Sequence, residues 1–110
     1  MSDRPKRLRF VCTRNQLRSP TAEAVFQSVE GVEAISAGTN NDAETTLSGD
    51  LIQWADVIYV MEREHRKKLT AKFASLLKDK TVRMLAIPDN YDYMDPTLIA
   101  LIQRKFPEYF

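Results

Sequence analysis

Leu8-Arg9-Phe10-Val11-Cys12-Thr13-Arg14-Asn15-Gln16-Leu17-Arg18-Ser19-Pro20-Thr21-Ala22-Glu23 reads as a strand, a loop and a helix start in one short stretch. The apolar run over Leu8–Cys12 has strand character. Ser19 followed by Pro20 is the pairing expected of an N-cap and the first helical residue. Ala22, Val25, Phe26 and Val29 then recur at i, i+3, i+4 and i+7, which predicts a helix with one buried face. The loop between opens with the only cysteine of the chain and closes with Arg18.

Working outward, the same alternation continues. Gly31 predicts the end of that helix, and Val32–Ala37 a second short strand. Gly38 to Thr46 is polar and loop-like. Leu47, Leu51, Trp54 and Ala55 keep helical spacing despite Gly49, with Trp54 read as helix core rather than as a ligand wall. Val57–Met61 is a continuous apolar run, as expected of a parallel strand covered on both faces. Glu62 to Leu77 reads as a third helix, with Leu69, Phe73 and Leu76 facing inward and Glu62–Arg66 and Glu64–Lys68 spaced for i,i+4 ion pairs. Val82–Ile87 is the fourth strand. Asp95-Pro96 then opens a helix carrying Leu98, Ile99, Leu101, Ile102 and Phe106. The order βαβαβαβα predicts an α/β fold: a doubly wound, four-stranded parallel sheet flanked by helices, as one domain over residues 1–110. In such sheets ligands bind outside the carboxyl ends of the strands, which is where Cys12 falls.

Composition narrows the classes further. The chain has 110 residues, 44% hydrophobic and 28% charged, with a net charge of +1. That is ordinary for a globular domain and gives no overall field for nucleic acid or membrane. The cluster Arg4, Lys6, Arg7, Arg9 reads as a solvated N-terminal arm. No run reaches the roughly 18 apolar residues of a membrane span, and the charged N-terminus lacks a signal-peptide core. One cysteine makes no internal disulfide and no cysteine-rich metal site, and points to a reducing compartment, the cytoplasm. His65 falls on the inner side of its helix without a second ligand-type neighbour, so no metal site is expected there.

The loop itself suggests chemistry. Successive N–H groups running into a helix N-terminus bind phosphate oxygens, and the same donors stabilise a thiolate. Arg18 can hold two phosphate oxygens at once, and the Ser19 hydroxyl can cap the helix, donate to the thiolate, or do both. Cys-x5-Arg alone is a weak motif; the strand before it and Ser-Pro with a helix after it make it specific.

The stretch Val11–Glu23 resembles the phosphate-binding signature of the low-molecular-weight protein tyrosine phosphatases. Ser36-Ala37-Gly38-Thr39, Ala55–Glu62 and His65-Arg66 resemble further segments of that family in the same order. The resemblance implies a phosphomonoesterase, a protein tyrosine phosphatase that needs neither metal nor cofactor and acts on a phosphotyrosine protein or a small aryl phosphomonoester. Cys12 would form a phosphocysteine, Arg18 and the amides of Thr13, Arg14, Asn15, Gln16 and Leu17 would bind the phosphoryl group, and Ser19 would activate the thiol. Asn15 would hold the loop shape, with Ser36 as its buttress. An aspartate would act as general acid from the segment Ile87–Pro96. Asp95 is the literal Asp-Pro match but has N-cap chemistry, so Asp89, two residues past the strand, is the expected acid, with Asp92 and Asp95 as alternatives. Tyr91 and Tyr93 read either as an aromatic substrate wall or as half-buried loop aromatics. Arg14 stands where the family usually has glycine, and Leu17 where many members carry a second cysteine, so Cys12 has no resolving thiol in the chain. Arsenate reduction with an external thiol, a weakly catalytic phosphate-binding module and sulfur transfer are the alternatives on the same loop. The sequence gives no oligomeric state.

Overall fold

The computed structural model describes residues 5–13, 17–39 and 46–110. Strand β1 spans Lys6–Cys12, helix α1 Arg18–Phe26, strand β2 Val32–Gly38 and helix α2 Gly49–Trp54. Strand β3 is Val57–Val60, helix α3 Arg63–Phe73 continued by a 3-10 turn over Ala74–Leu77, strand β4 Thr81–Met84 and helix α4 Pro96–Lys105. The sheet is entirely parallel in the order β2-β1-β3-β4, the architecture expected from the alternating pattern.

The strand order sets the position of everything that follows. From β1 the chain steps to one side to form β2, then returns past β1 to form β3 on the other side. The connections leaving β1 and β3 therefore diverge at their carboxyl ends and open a crevice between them. Cys12 ends β1 and Met61-Glu62 follows β3, so both chain segments reach that crevice. Pairing continues past the strands proper: Met61 N–H donates to Val11 O at 3.1 Å, and Ile87 N–H to Met61 O at 2.9 Å. Between β4 and Ile87, Ala86 takes a left-handed conformation (φ 57°), and the regular strand stops at Met84 rather than at the expected Ile87.

Each face of the sheet has its own core. Leu8, Phe10, Cys12, Tyr59, Met61, Leu85 and Ile87 pack with α1 and α4, while Val11, Ile58 and Val60 pack with α2 and α3. Phe106 closes the first core, with ring centroids 4.9 Å from both Phe26 and Tyr59 and 6.0 Å from Phe10, all near edge-to-face. Such pairs stabilise by ~0.5–1.5 kcal/mol beyond the area they bury.

Several boundaries and one whole reading change. Helix α1 begins at Arg18, with Leu17 at the N-cap position, and Pro20 falls inside its first turn, where a missing N–H leaves no helical bond unmade. Its last residue is Phe26, and Gly31 instead serves the turn before β2, with φ 79° and its carbonyl accepting from Lys6 N–H at 2.9 Å. The basic segment is not a solvated arm from Lys6 onward: it is β1 itself. Alternation along β1 turns Arg9 under α2, where it is 1% exposed. Its guanidinium lies 4.7 Å from the Trp54 ring centroid and donates from Nε and Nη2 to Leu51 O at 3.3 and 3.2 Å. A carbonyl at the end of a helix and an aromatic face thus offset the cost of burying that charge. Trp54 is the half-buried packing residue that was expected.

If Phe106 anchors α4 to the sheet, Phe106→Ala lowers unfolding stability by about 3–5 kcal/mol in denaturant titration. A loss below about 1 kcal/mol would show that the aromatic cluster is not what holds α4.

Candidate active site

Cys12 is the last residue of β1 and only 3% exposed, its side chain on the α1–α4 face of the sheet. Its carbonyl accepts from Thr39 N–H at 2.9 Å, which ties the strand end to the segment leaving β2. The sulfur lies 2.8 Å from Ser19 Oγ. Ser19 was expected as the N-cap of α1. Leu17 fills that position, and its carbonyl takes bonds from Thr21 N–H at 3.1 Å and Thr21 Oγ1 at 2.6 Å. The Ser19 hydroxyl is thereby set beside the thiol at the start of a helix. Its interaction with the sulfur is realised from within the first turn of the helix, not from the N-cap position.

Arg18, the first residue of α1, is 2% exposed, and its charge is met from the two neighbouring strand ends. Nη1 donates to Ile87 O at 2.8 Å and to Glu62 Oε1 at 2.5 Å. Asp89 Oδ1 lies 3.7 Å from Nε, and the Asp89 side chain is 63% exposed at the mouth of the crevice. Glu62 was expected to pair with Arg66 one helical turn on. It points to Arg18 instead, because it sits before α3 in extended backbone, where i,i+4 spacing does not apply.

The acid segment resolves in part. Asp95 caps α4, its Oδ1 accepting from Thr97 N–H at 2.8 Å with Pro96 at the first helical position. Asp92 is exposed, and its carbonyl accepts from Asp95 N–H at 3.1 Å. Asp89 alone of the three makes contact with Arg18. Met94, at φ 59°, donates its N–H to Thr21 Oγ1 at 2.9 Å and so pins this segment to α1. Tyr91 packs partly buried against the α1–α4 core, whereas Tyr93 is 53% exposed.

Ser36 does not sit alone on its strand: its N–H and Oγ both donate to Glu23 Oε1 in α1, at 2.7 and 3.1 Å. Its expected support of Asn15 lies outside the described residues, as do Arg14, Asn15 and Gln16 themselves. Leu17 is 36% exposed.

His65 was read from sequence as an inward-facing helix residue without a metal, in a segment resembling the family, and no role in the site was assigned to it. It is fully buried and joins two parts of the site: Nε2 lies 2.9 Å from Thr13 Oγ1, and Nδ1 accepts from Glu62 N–H at 3.0 Å. Burial, then the nearby Arg18 and Lys68 charges, hold its pKa below the ordinary histidine value, with Glu64 and Glu62 opposing. Acceptor atoms of Glu62, Glu64 and His65 lie within 4.8 Å of one another, but both ring nitrogens are already engaged and offer no lone pair to a cation. The signal for His65 was its spacing: three residues after a strand-end glutamate, it completes the reciprocal half of a capping box.

Residues 7–49, which build the thiol loop and the first two strands, match the family model described as low molecular weight phosphotyrosine protein phosphatase. The protein-arginine-phosphatase of Bacillus subtilis (strain 168) is 24% identical over 116 residues, covering 79% of this chain and 77% of that protein. The structure of the YwlE arginine phosphatase from Geobacillus stearothermophilus superposes with a TM-score of 0.72 at 25% identity, covering 94% of this chain and 92% of that one. A low molecular weight protein tyrosine phosphatase from Streptococcus pyogenes shares the fold with a TM-score of 0.76 at 16% identity, over 96% and 93% of the two chains. Among the described residues no helix is long and apolar enough to cross a membrane. The profile match over the thiol loop, the relatives and the shared parallel-sheet fold all indicate the low molecular weight phosphotyrosine protein phosphatase family.

Proposed function

We propose that this protein hydrolyses phosphorylated protein side chains, phosphotyrosine first among them, through a phosphocysteine at Cys12. The observation that carries the reading is the 2.8 Å approach of Cys12 Sγ and Ser19 Oγ at the start of α1, one residue from the buried Arg18. With the sulfur as thiolate, Ser19 is the donor of that bond.

The steps balance with groups the chain supplies. The Cys12 thiolate attacks phosphorus, an S–P bond forms and the bond to the ester oxygen breaks. Asp89 gives its proton to the departing oxygen. Water then attacks phosphorus and gives a proton to Asp89, and the S–P bond breaks to release phosphate and the Cys12 thiolate. Through both steps the amides of the loop from Thr13 to Arg18 and the Arg18 guanidinium neutralise the equatorial oxygens. Nη1 of Arg18 is committed to Ile87 O and Glu62, so the Nε side, where Asp89 lies, is the edge that faces the phosphoryl group. That shared edge, and the commitment of the Asp95 carboxylate to Thr97, support Asp89 as the acid. Tyr91 and Tyr93 follow Asp89 in the same segment and serve as the wall for an aromatic leaving group.

A second reading has its own support. The arginine phosphatases found as relatives match this chain at 24 and 25% identity, against 16% for the streptococcal tyrosine phosphatase. Phosphoarginine would use the same thiolate, with Asp89 protonating nitrogen instead of oxygen.

Hydrolysis of p-nitrophenyl phosphate is expected to persist in EDTA and to vanish in Cys12→Ser; robust turnover by Cys12→Ser would remove the nucleophile from the account. Asp89→Asn is expected to lower kcat by about 10²–10⁴-fold. The same deficit in Asp92→Asn or Asp95→Asn, with Asp89→Asn unaffected, would reassign the acid. Comparing kcat/KM on phosphotyrosine and phosphoarginine peptides separates the substrates: the larger value is expected for phosphotyrosine, and the reverse ranking selects the second reading.

A further inference from the structure

We propose that His65 is a positioning residue: as the neutral Nε2–H tautomer it holds the Thr13 side chain, and with it the start of the phosphate-binding loop, in register with Glu62 and Arg18. The inference rests on the phosphatase reading above and assigns it a residue that makes no contact with the reacting atoms.

Hydrogen-bond bookkeeping fixes the tautomer. The Glu62 backbone N–H can only donate, and it points at Nδ1 from 3.0 Å. Nδ1 must therefore carry a lone pair, and in the neutral ring the proton resides on Nε2. Nε2 lies 2.9 Å from Thr13 Oγ1, so the ring donates there and the hydroxyl hydrogen is turned away from the ring. One imidazole thus spans two segments far apart in sequence. Thr13 directly follows the Cys12 nucleophile; Glu62 holds Arg18 through its carboxylate while giving its N–H to the ring.

Protonation would undo the arrangement. A hydrogen on Nδ1 would face the Glu62 N–H, donor against donor. The charged groups around the ring are Arg18 from α1 and Lys68 from α3, both opposing a second positive charge, with Glu62 and Glu64 favouring it. Glu64 Oε1 is 3.8 Å from Nε2. Full burial opposes protonation most, and the ring stays neutral at neutral pH. The sign for stability follows. As pH falls through about 6.5 the unfolded chain takes up a proton that the folded chain resists, so the contribution of His65 is complete above that pH and is lost below it.

Two substitutions divide the two bonds. Asn places its carbonyl oxygen near Nδ1, keeping the bond from Glu62 N–H and losing the one to Thr13. Gln places its amide nitrogen near Nε2, keeping the bond to Thr13 and losing the acceptor. His65→Asn is expected to melt close to wild type at neutral pH yet to lose about tenfold in both kcat on p-nitrophenyl phosphate and affinity for orthovanadate. His65→Gln is expected to stay within about threefold in both while its Tm falls. Thr13→Val reproduces the His65→Asn loss, and the double variant is no worse than either. Between about pH 7.5 and pH 5 the wild type should lose more Tm than His65→Asn. A His65→Asn variant with wild-type kcat and vanadate affinity overturns the proposal. So do Asn and Gln variants impaired alike, which would mean that the ring only fills space. Nitrogen NMR of the wild-type ring at neutral pH decides independently of any variant that fails to fold: a protonated Nε2 and bare Nδ1 are expected, and the opposite tautomer or an imidazolium overturns it. Vanadate affinity needs no turnover. A wild type that binds vanadate without hydrolysing any phosphate therefore sinks the hydrolase reading while the affinities still judge His65, and a wild type that does neither overturns both.

Discussion

A buried guanidinium organises this molecule. Arg18 stands at the start of α1 with 2% of its surface exposed, and a charge so placed is tolerated only with partners in good geometry. Those partners come from elsewhere in the chain: the Ile87 carbonyl past β4 and the Glu62 carboxylate past β3. One side chain therefore joins the ends of two strands to the helix that leaves a third. The order β2-β1-β3-β4 makes this possible, because it brings the carboxyl ends of β1 and β3 side by side where their connections part.

The second buried arginine shows what is particular about the first. Arg9 is as deeply covered, but Trp54 and a carbonyl of α2 meet its charge, and among the described residues it forms no ion pair with a carboxylate. That is a structural solution on the α2 side of the sheet. Arg18 instead has an exposed carboxylate, Asp89, 3.7 Å from its Nε, and has the Cys12–Ser19 pair beginning at the next residue. Fixed partners on one edge (a backbone carbonyl and Glu62) and a solvent-exposed carboxylate on the other fit the phosphoryl-binding role proposed for Arg18.

Much of this was legible in the chain. Period and punctuation revealed the four strands and four α-helices of the described residues in order, β3 as a continuous apolar run and each helix except α2 long enough to show its spacing. Asp95-Pro96 was readable as an N-cap because that chemistry is local. What escaped was non-local. Ser19 looked like a cap because Ser-Pro is a helix-start signal, yet its hydroxyl answers to a sulfur seven residues back. Glu62 looked like an i,i+4 partner because the spacing was right, but a residue at the helix entrance is free of helical geometry and can cross to another element. Arg9 looked solvated because charge is usually outside; only alternation along β1, which begins two residues earlier than expected, turns it inward. His65 carried a capping-box spacing, but its partner Thr13 lies 52 positions away.

The central claim is that phosphate passes through Cys12. Acid-quenching the enzyme during turnover of an aryl phosphate, then mapping the phosphoryl group by mass spectrometry, tests it most directly. The account predicts one added phosphoryl group, on Cys12 and nowhere else. Turnover with no trapped phosphoenzyme, or with the group on another side chain, would contradict it.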